Sequence, residues 1–157
     1  MMKLPEYCLT GILAAVLAAG CSTTGDKSVP EKDNVQISAI TELDLQSAVS
    51  AGVKMGDNLL YAFKQKKFDL AAGIPVGDEK KRLTQEKFDS LVKKLDKAGG
   101  IADYTYLGDL AFGAYRRLLW KVEFKGVENA PAADMLFEVL VIRVNGQYRV
   151  AGFGFRP

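Results

Sequence analysis

The chain has 157 residues, 48% of them hydrophobic and 25% charged, a balance that suits one ordinary folded core and excludes a disordered or wholly membrane-embedded chain. Its 21 Lys and Arg stand against 19 Asp and Glu, a net charge of +2, so composition leaves no electrostatic footprint for nucleic acid or a strongly anionic surface. There is no histidine, which removes the commonest general base and metal ligand. Basic residues crowd the middle third (Lys64, Lys66, Lys67, Lys80, Lys81, Arg82, Lys87, Lys93, Lys94 and Lys97). They read as solvated helix faces in preference to a partner-binding patch.

The chain opens with Lys3 and then a short apolar run, LTGILAAVLAAG, at residues 9–20. That run is too short to span a bilayer and has the shape of an export leader. It ends in small residues abutting Cys21. The string Leu17-Ala18-Ala19-Gly20-Cys21 resembles the lipobox of bacterial lipoproteins, with Ala18 standing where that family prefers leucine. The resemblance implies cleavage before Cys21, acylation of its sulfur (palmitate among the chains used) and firm anchoring, because two or three acyl chains hold a protein stably where one does not. Ser22 in place of aspartate implies passage to the outer membrane, facing the periplasm. The other cysteine, Cys8, would leave with the leader, so no thiol remains for a disulfide, a thiolate metal site or a Cys-based nucleophile. Residues 22–34, STTGDKSVPEKDN, have no apolar periodicity and read as a flexible tether. Counted on to about residue 40, the tether's r.m.s. reach is on the order of 25 Å. The expected division is a leader at 1–20, the lipidated cysteine and tether at 21–40, and one domain at 41–157.

Helices come first in that domain. Thr41 with Asp44 three residues on forms a variant capping box. Leu45, Ala48, Val49, Gly52, Val53, Leu59, Leu60 and Phe63 then mark a helical apolar stripe. Gly52 and Gly56 weaken that helix in isolation, so packing must hold it. A short turn is expected at 68–72 and a loop at 76–81. Thr84 caps a second long helix with Phe88, Leu91, Val92 and Leu95 on one face, closed by Gly99-Gly100.

From Ile101 the apolar period becomes two. Residues 102–110 and 115–125 read as strands, 126–134 as a loop with Pro131, and 135–155 as a hairpin about Asn145-Gly146. Asn-Gly suits a type I′ turn, which needs positive φ at both central residues. It places Val144 opposite Gln147 and Arg143 opposite Tyr148. Helices followed by antiparallel strands predict an α+β fold with the helices on one face of a curved sheet.

Over about residues 43–155 the chain resembles the nuclear-transport-factor-2-like, or cystatin-like, cone. The likeness is carried by the order and spacing of LTQEKFDSLVKKLDKAGG, TYLGDL, LLWKVEF and NGQYRVAGFGF. It implies a pocket between helices and sheet and dimerisation through the sheet's outer face. It implies no single activity, since members include isomerases, dehydratases and non-catalytic modules.

Two functions follow as expectations. The first is a membrane-anchored envelope lipoprotein whose domain binds a small apolar ligand or a protein partner without catalysis, cofactor, metal or nucleic acid. The alternative is a cone-type isomerase or lyase using an aspartate base opposite a tyrosine donor, for which Asp103 and Asp109 lie near Tyr104 and Tyr106. No catalytic, cofactor or metal residue is assigned. Tyr104, Tyr106, Trp120 and Tyr148 are pocket candidates, though such aromatics are more often core. Leu118, Trp120, Val122, Phe124, Phe137, Val139, Val141 and Val150 are expected to share one core surface. On the opposite face the alternation places Leu136, Glu138, Leu140, Ile142, Val144, Arg149, Ala151, Phe153 and Phe155. Glu138, Leu140, Ile142, Arg149 and Phe153 are the candidate interface there, for a homodimer or an envelope partner. A symmetric loop would put Lys121 opposite Glu138.

Overall fold

The computed structural model describes residues 36–127 and 134–156. The leader, Cys21, the tether to residue 35 and the loop residues 128–133 lie outside them.

A short strand, β1 (Ile37–Ser38), and a 3-10 turn (Glu42–Asp44) lead into four helices: α1 (Leu45–Gln65), α2 (Phe68–Ala72), α3 (Gly77–Arg82) and α4 (Gln85–Lys97). An antiparallel meander follows, β2 (Ile101–Phe112), β3 (Tyr115–Phe124), β4 (Asp134–Val144) and β5 (Gln147–Arg156). The fold is α+β, as the order of the two apolar periods required. Two stretches differ from expectation. The last residues counted as tether contain β1, which pairs with the end of β4. The expected loop at 76–81 contains α3, a helix with no buried residue, whose acids Asp78 and Glu79 begin it and whose bases Lys80, Lys81 and Arg82 end it, as the helix dipole favours.

Local chemistry explains the other boundaries. The Thr41 hydroxyl donates to Asp44 Oδ2 at 2.9 Å, and the Asp44 N–H donates to the Thr41 carbonyl at 3.1 Å, which winds the 3-10 turn before α1. Thr84 accepts from the Lys87 N–H at 3.3 Å at the start of α4. Asn145 and Gly146 have φ of 50° and 76°, as a type I′ turn requires, and the predicted pairs Val144–Gln147 and Arg143–Tyr148 form.

α1 crosses the inner face and touches each of β2 to β5. Its sheet-facing stripe is small in the first half (Ala48, Gly52, Gly56) and large in the second (Leu59, Leu60, Phe63). A Cβ on Gly52 would lie 2.7 Å from Leu118 and 2.8 Å from Val141, and one on Gly56 would enter the Trp120 ring. The glycines that weaken the isolated helix are therefore what lets it approach the sheet. Farther along, Phe63 stacks on Phe88 of α4 with centroids 4.9 Å apart, and Phe68, Phe137, Phe153 and Phe155 complete an aromatic cluster. The expected core residues of β3, β4 and β5 are all buried, together with Phe88, Val92 and Leu95 of α4.

The register holds two corrections. Phe153 and Phe155 do not lie on the outer face. Val141 pairs with Val150 but Leu140 pairs with Gly152, so Ala151 is an extra residue, a β-bulge that turns the rest of β5 over. Phe153 then opposes Val139, and Phe155 opposes Phe137, on the core side. Lys121 faces Leu136 and not Glu138, because Glu123 pairs with Asp134 and the β3–β4 connection is displaced by two residues from the symmetric one. A shift of two leaves each side chain on its expected face.

Candidate functional site

The inner side of the sheet gathers all four pocket candidates, and none of them lines the groove described below. Trp120 is fully buried, its ring against Gly56, and its Nε1–H donates to Asp57 Oδ1 at 2.9 Å. The Tyr148 hydroxyl donates to the Asp44 carbonyl at 3.3 Å, and Arg143 Nη1 lies 2.6 Å from the Asp44 carboxylate, so this pair clamps the start of α1 to the hairpin. Tyr106 packs edge-on to Trp120 and donates to Asp109 Oδ1 at 3.4 Å. Tyr104 lies beneath Lys64 Nζ, 5.9 Å from the ring centroid.

An aspartate and a tyrosine do meet, as the isomerase reading asked, but not across a cavity. Tyr106 and Asp109 are three apart on one strand. They share a face because Leu107 is an extra residue between the pairs Tyr106–Trp120 and Gly108–Leu119. Asp109 is also neutralised by Arg116, whose Nε donates to Oδ2. Burial and then the Asp109 charge push the Tyr106 hydroxyl up to about 12. Burial and the nearby Asp57 raise Tyr104 as well. Both changes hold these phenols in the protonated, hydrogen-bonding form. Asp103 is exposed and opposes Glu123. Among the described residues no group of three or more Asp, Glu, Cys or His is placed to hold a metal.

A concave feature lies on the other face. A groove of about 550 Å³ runs between the turn end of β4 and α3. Ile142, Val144, Ala151, Ile37 and Tyr115 contribute apolar lining, and Asp78, Glu79 and Arg82 of α3 supply its polar groups. Ile142 is only 3% exposed, so this candidate interface residue is part of a buried corner and not of a free surface.

The rest of the outer face is uncovered by helix. Leu119, Leu136 and Leu140 share it with Arg117, Glu138, Arg149 and Arg156, as the register requires. Glu138 is 8% exposed and accepts from Arg156 at 3.0 Å (Nε) and 2.6 Å (Nη2), with Arg117 Nε at 3.7 Å from its other oxygen. Lys121 pairs instead with Glu123 at 2.5 Å and Asp134 at 3.7 Å, and its ammonium is held above the usual lysine range chiefly by the Glu123 hydrogen bond. Most of the charges on this face pair within the chain, Arg149 meeting the Gln147 amide and no carboxylate, and the leucines between them remain.

Sequence reasoning missed Asp57, Arg116 and α3. A carboxylate set directly after Gly56, in the helix's apolar half, was a usable sign that Asp57 serves a buried donor. Nothing local marks Arg116 or α3 as neighbours of these groups.

No protein-family model matches the chain, and no curated protein matches it. Among solved structures it is similar to a SEC-C motif containing protein from Rhodopseudomonas palustris, at 11% identity and a TM-score of 0.45 over 60% of this chain and 70% of that one. It is also similar to an NTF-2-like protein of unknown function from Shewanella oneidensis, at 12% identity and 0.42 over 71% and 98%. A third is a Campylobacter jejuni protein described as an NTF2-like transpeptidase, at 14% identity and 0.40 over 69% and 98%. At these TM-scores the likenesses carry no argument, and the α+β assignment rests on the chain's own strand order.

Proposed function

We propose that this chain is a lipid-anchored lipoprotein of the bacterial cell envelope, on the outer membrane facing the periplasm, with a cone-type domain like that of the nuclear-transport-factor-2-like proteins. The domain acts as a non-catalytic binding module, and its outer sheet face pairs with a second copy. The observation that carries the choice over an isomerase is the filled interior. Trp120, Phe137, Leu118, Val139 and Val141 are fully buried beneath α1, and the one tyrosine–aspartate pair is tied to an arginine. A substrate between helices and sheet would have to displace that packing.

The outer face favours a copy of itself because most of its ionic groups are already paired within the chain. An isologous contact would bury Leu119, Leu136 and Leu140 among ion pairs already made within the chain. Sedimentation of the protein tests this. A dimer at tens of micromolar that Leu140→Glu converts to a monomer supports it. A wild-type monomer refutes it, and crosslinking in the native envelope would then reveal whether a different protein occupies the face. The anchor is tested separately by fractionation. The wild type belongs in the membrane fraction with lipid mass on its N-terminal peptide, and Cys21→Ser abolishes both.

A small apolar ligand is a second reading, favoured by the groove above Ile142 and Val144, whose volume lies in the range of small-molecule sites. Native mass spectrometry of protein purified from its own envelope would show a bound mass that Val144→Arg removes.

A further inference from the structure

Of the nine large apolar side chains exposed among the described residues, four (Ile37, Leu43, Leu110 and Phe112) lie toward one end, and the other five are spread over α1, α2, β2, residue 127 and the far end of β4. The β2–β3 hairpin tip, residues 110–115, reads Leu-Ala-Phe-Gly-Ala-Tyr without a charge, where a tip facing water is ordinarily polar. Leu110 is 55% exposed and Phe112 50%. Ile37, 58% exposed, faces Val144 just beyond the start of β3, because β1 continues the line of that strand along β4. Leu43, 98% exposed, precedes α1 at the point where Asp44 meets Arg143 and Tyr148.

Several of the ionic groups around this end are paired or stacked, while Glu42 beside Leu43 is exposed and makes no ion pair among the described residues. Asp109 binds Arg116, Asp44 binds Arg143, and the Arg117 guanidinium lies over the Phe112 ring, 4.2 Å from its centroid. Residues 110–115 themselves carry no carboxylate, and Asp109 behind them is paired with Arg116, so an apolar medium could receive the hairpin tip without stranding one. Arg149 on the outer face and Lys80 and Arg82 at the end of α3 make no ion pair among the described residues and could meet the headgroups of a bilayer that received the tip.

The described chain also begins here. Gln36 exchanges hydrogen bonds with Asn145 at the hairpin turn, 3.0 Å in each direction. About 15 residues separate it from Cys21, a root-mean-square reach of about 20 Å for a flexible chain. We infer that this end is a membrane-contacting surface, with Leu110 and Phe112 of the β2–β3 tip entering the interfacial layer of the bilayer and Ile37 and Leu43 beside them. The domain is seated on the lipid, tip down, and its outer sheet face stands across the membrane plane. The inference rests on the lipoprotein reading for the membrane's being near, and on the tip's own composition for the contact. The bond is apolar and not electrostatic, in keeping with a net charge of only +2.

The test uses the full chain as the cell makes it, reconstituted into phosphatidylethanolamine–phosphatidylglycerol vesicles with bromine-labelled acyl chains. Phe112→Trp should be quenched well beyond the buried Trp120 background. Leu136→Trp, at the other end of the outer face, should not. Equal quenching at the two positions, or none at either, overturns the proposal. A second arm separates the tip from the anchor. The Cys21→Ser chain, added to the same vesicles, should still partition weakly, and Phe112→Ser should reduce that partition by about tenfold, as expected for losing one partly buried aromatic. No partition by the Cys21→Ser chain, or no effect of Phe112→Ser, refutes the membrane-contacting tip whatever becomes of the lipid. Phe112→Ser that abolishes self-association while partition is unchanged assigns the tip to a protein contact and refutes it also. Failure of the lipoprotein reading shows differently, as missing lipid mass on the wild-type N-terminal peptide.

Discussion

On the inner face of the sheet Trp120, Phe137, Val139 and Val141 have no solvent exposure, and the indole N–H is matched to a side chain of the covering helix. On the outer face of the same strands Leu119, Leu136 and Leu140 lie among Arg117, Arg156, Lys121 and carboxylates that pair along one strand or across neighbouring strands. One set of strands thus supports two surfaces with different energetics. Inside, volume and shape decide, since a lost methylene leaves a void that α1 cannot close without driving its glycine stripe into the sheet. Outside, a substitution changes a surface and leaves the packing alone. Most of the stability resides in the first face, and the second is a surface whose leucines remain accessible.

Trp120→Ala strikes the inner face hardest. It removes the largest core side chain and leaves Asp57 without its donor, and a loss of about 3–5 kcal/mol is expected in chemical denaturation. A loss below about 1 kcal/mol would mean that α1 re-seats freely and the contrast between faces is false. Next comes Ile142→Arg, which sharpens where the boundary falls. Ile142 sits on the outward side of β4 yet is 3% exposed, so a charge there should cost about 2–4 kcal/mol, whereas Leu140→Glu two residues away should stay within about 0.5 kcal/mol. Equal costs in thermal unfolding would put both on one kind of surface.

Glu138→Ala is intermediate. It frees Arg117 and Arg156 from a carboxylate that is nearly buried, although Arg156 itself is largely in water, and a loss of about 1–2 kcal/mol is expected. A loss that vanishes in high salt would show Glu138 to behave as a surface group. The smallest effect at neutral pH belongs to Tyr106→Phe, which removes one long hydrogen bond and should cost less than about 1 kcal/mol. Its signature is alkaline. Burial and Asp109 push the Tyr106 hydroxyl from its ordinary 10 up to about 12, so between those values the folded chain holds a proton that the unfolded chain has lost. The stability it contributes is complete below pH 10 and disappears as pH rises through about 12. Tyr106→Phe should therefore flatten the alkaline fall in stability and delete the latest step in a tyrosinate absorbance titration. An unchanged alkaline limb would show that Tyr106 is in contact with water and not with the inner cluster.

The order of helices and strands, the hairpin at Asn145-Gly146, the Thr84 cap and the inward alternation of β3 and β4 were all legible in the chain. Each follows from the φ, hydrogen-bond or side-chain preference of residues a few positions apart. The structure puts Tyr106, Trp120 and Tyr148 on one side of the sheet, and their partners were not foreseeable from the sequence. Asp57 lies 63 residues from Trp120, and Asp44 lies 104 from Tyr148. The bulges at Leu107 and Ala151 are properties of a strand pair, because an extra residue is extra only against a partner. They alone moved Phe153 and Phe155 into the core and brought Tyr106 onto one face with Asp109. The same holds for Gly52 and Gly56, which read as weak points in a helix until Leu118, Val141 and Trp120 occupy the space a Cβ would need. Periodicity assigns a residue to a face, and only the packed neighbours decide whether that face is filled, paired or open.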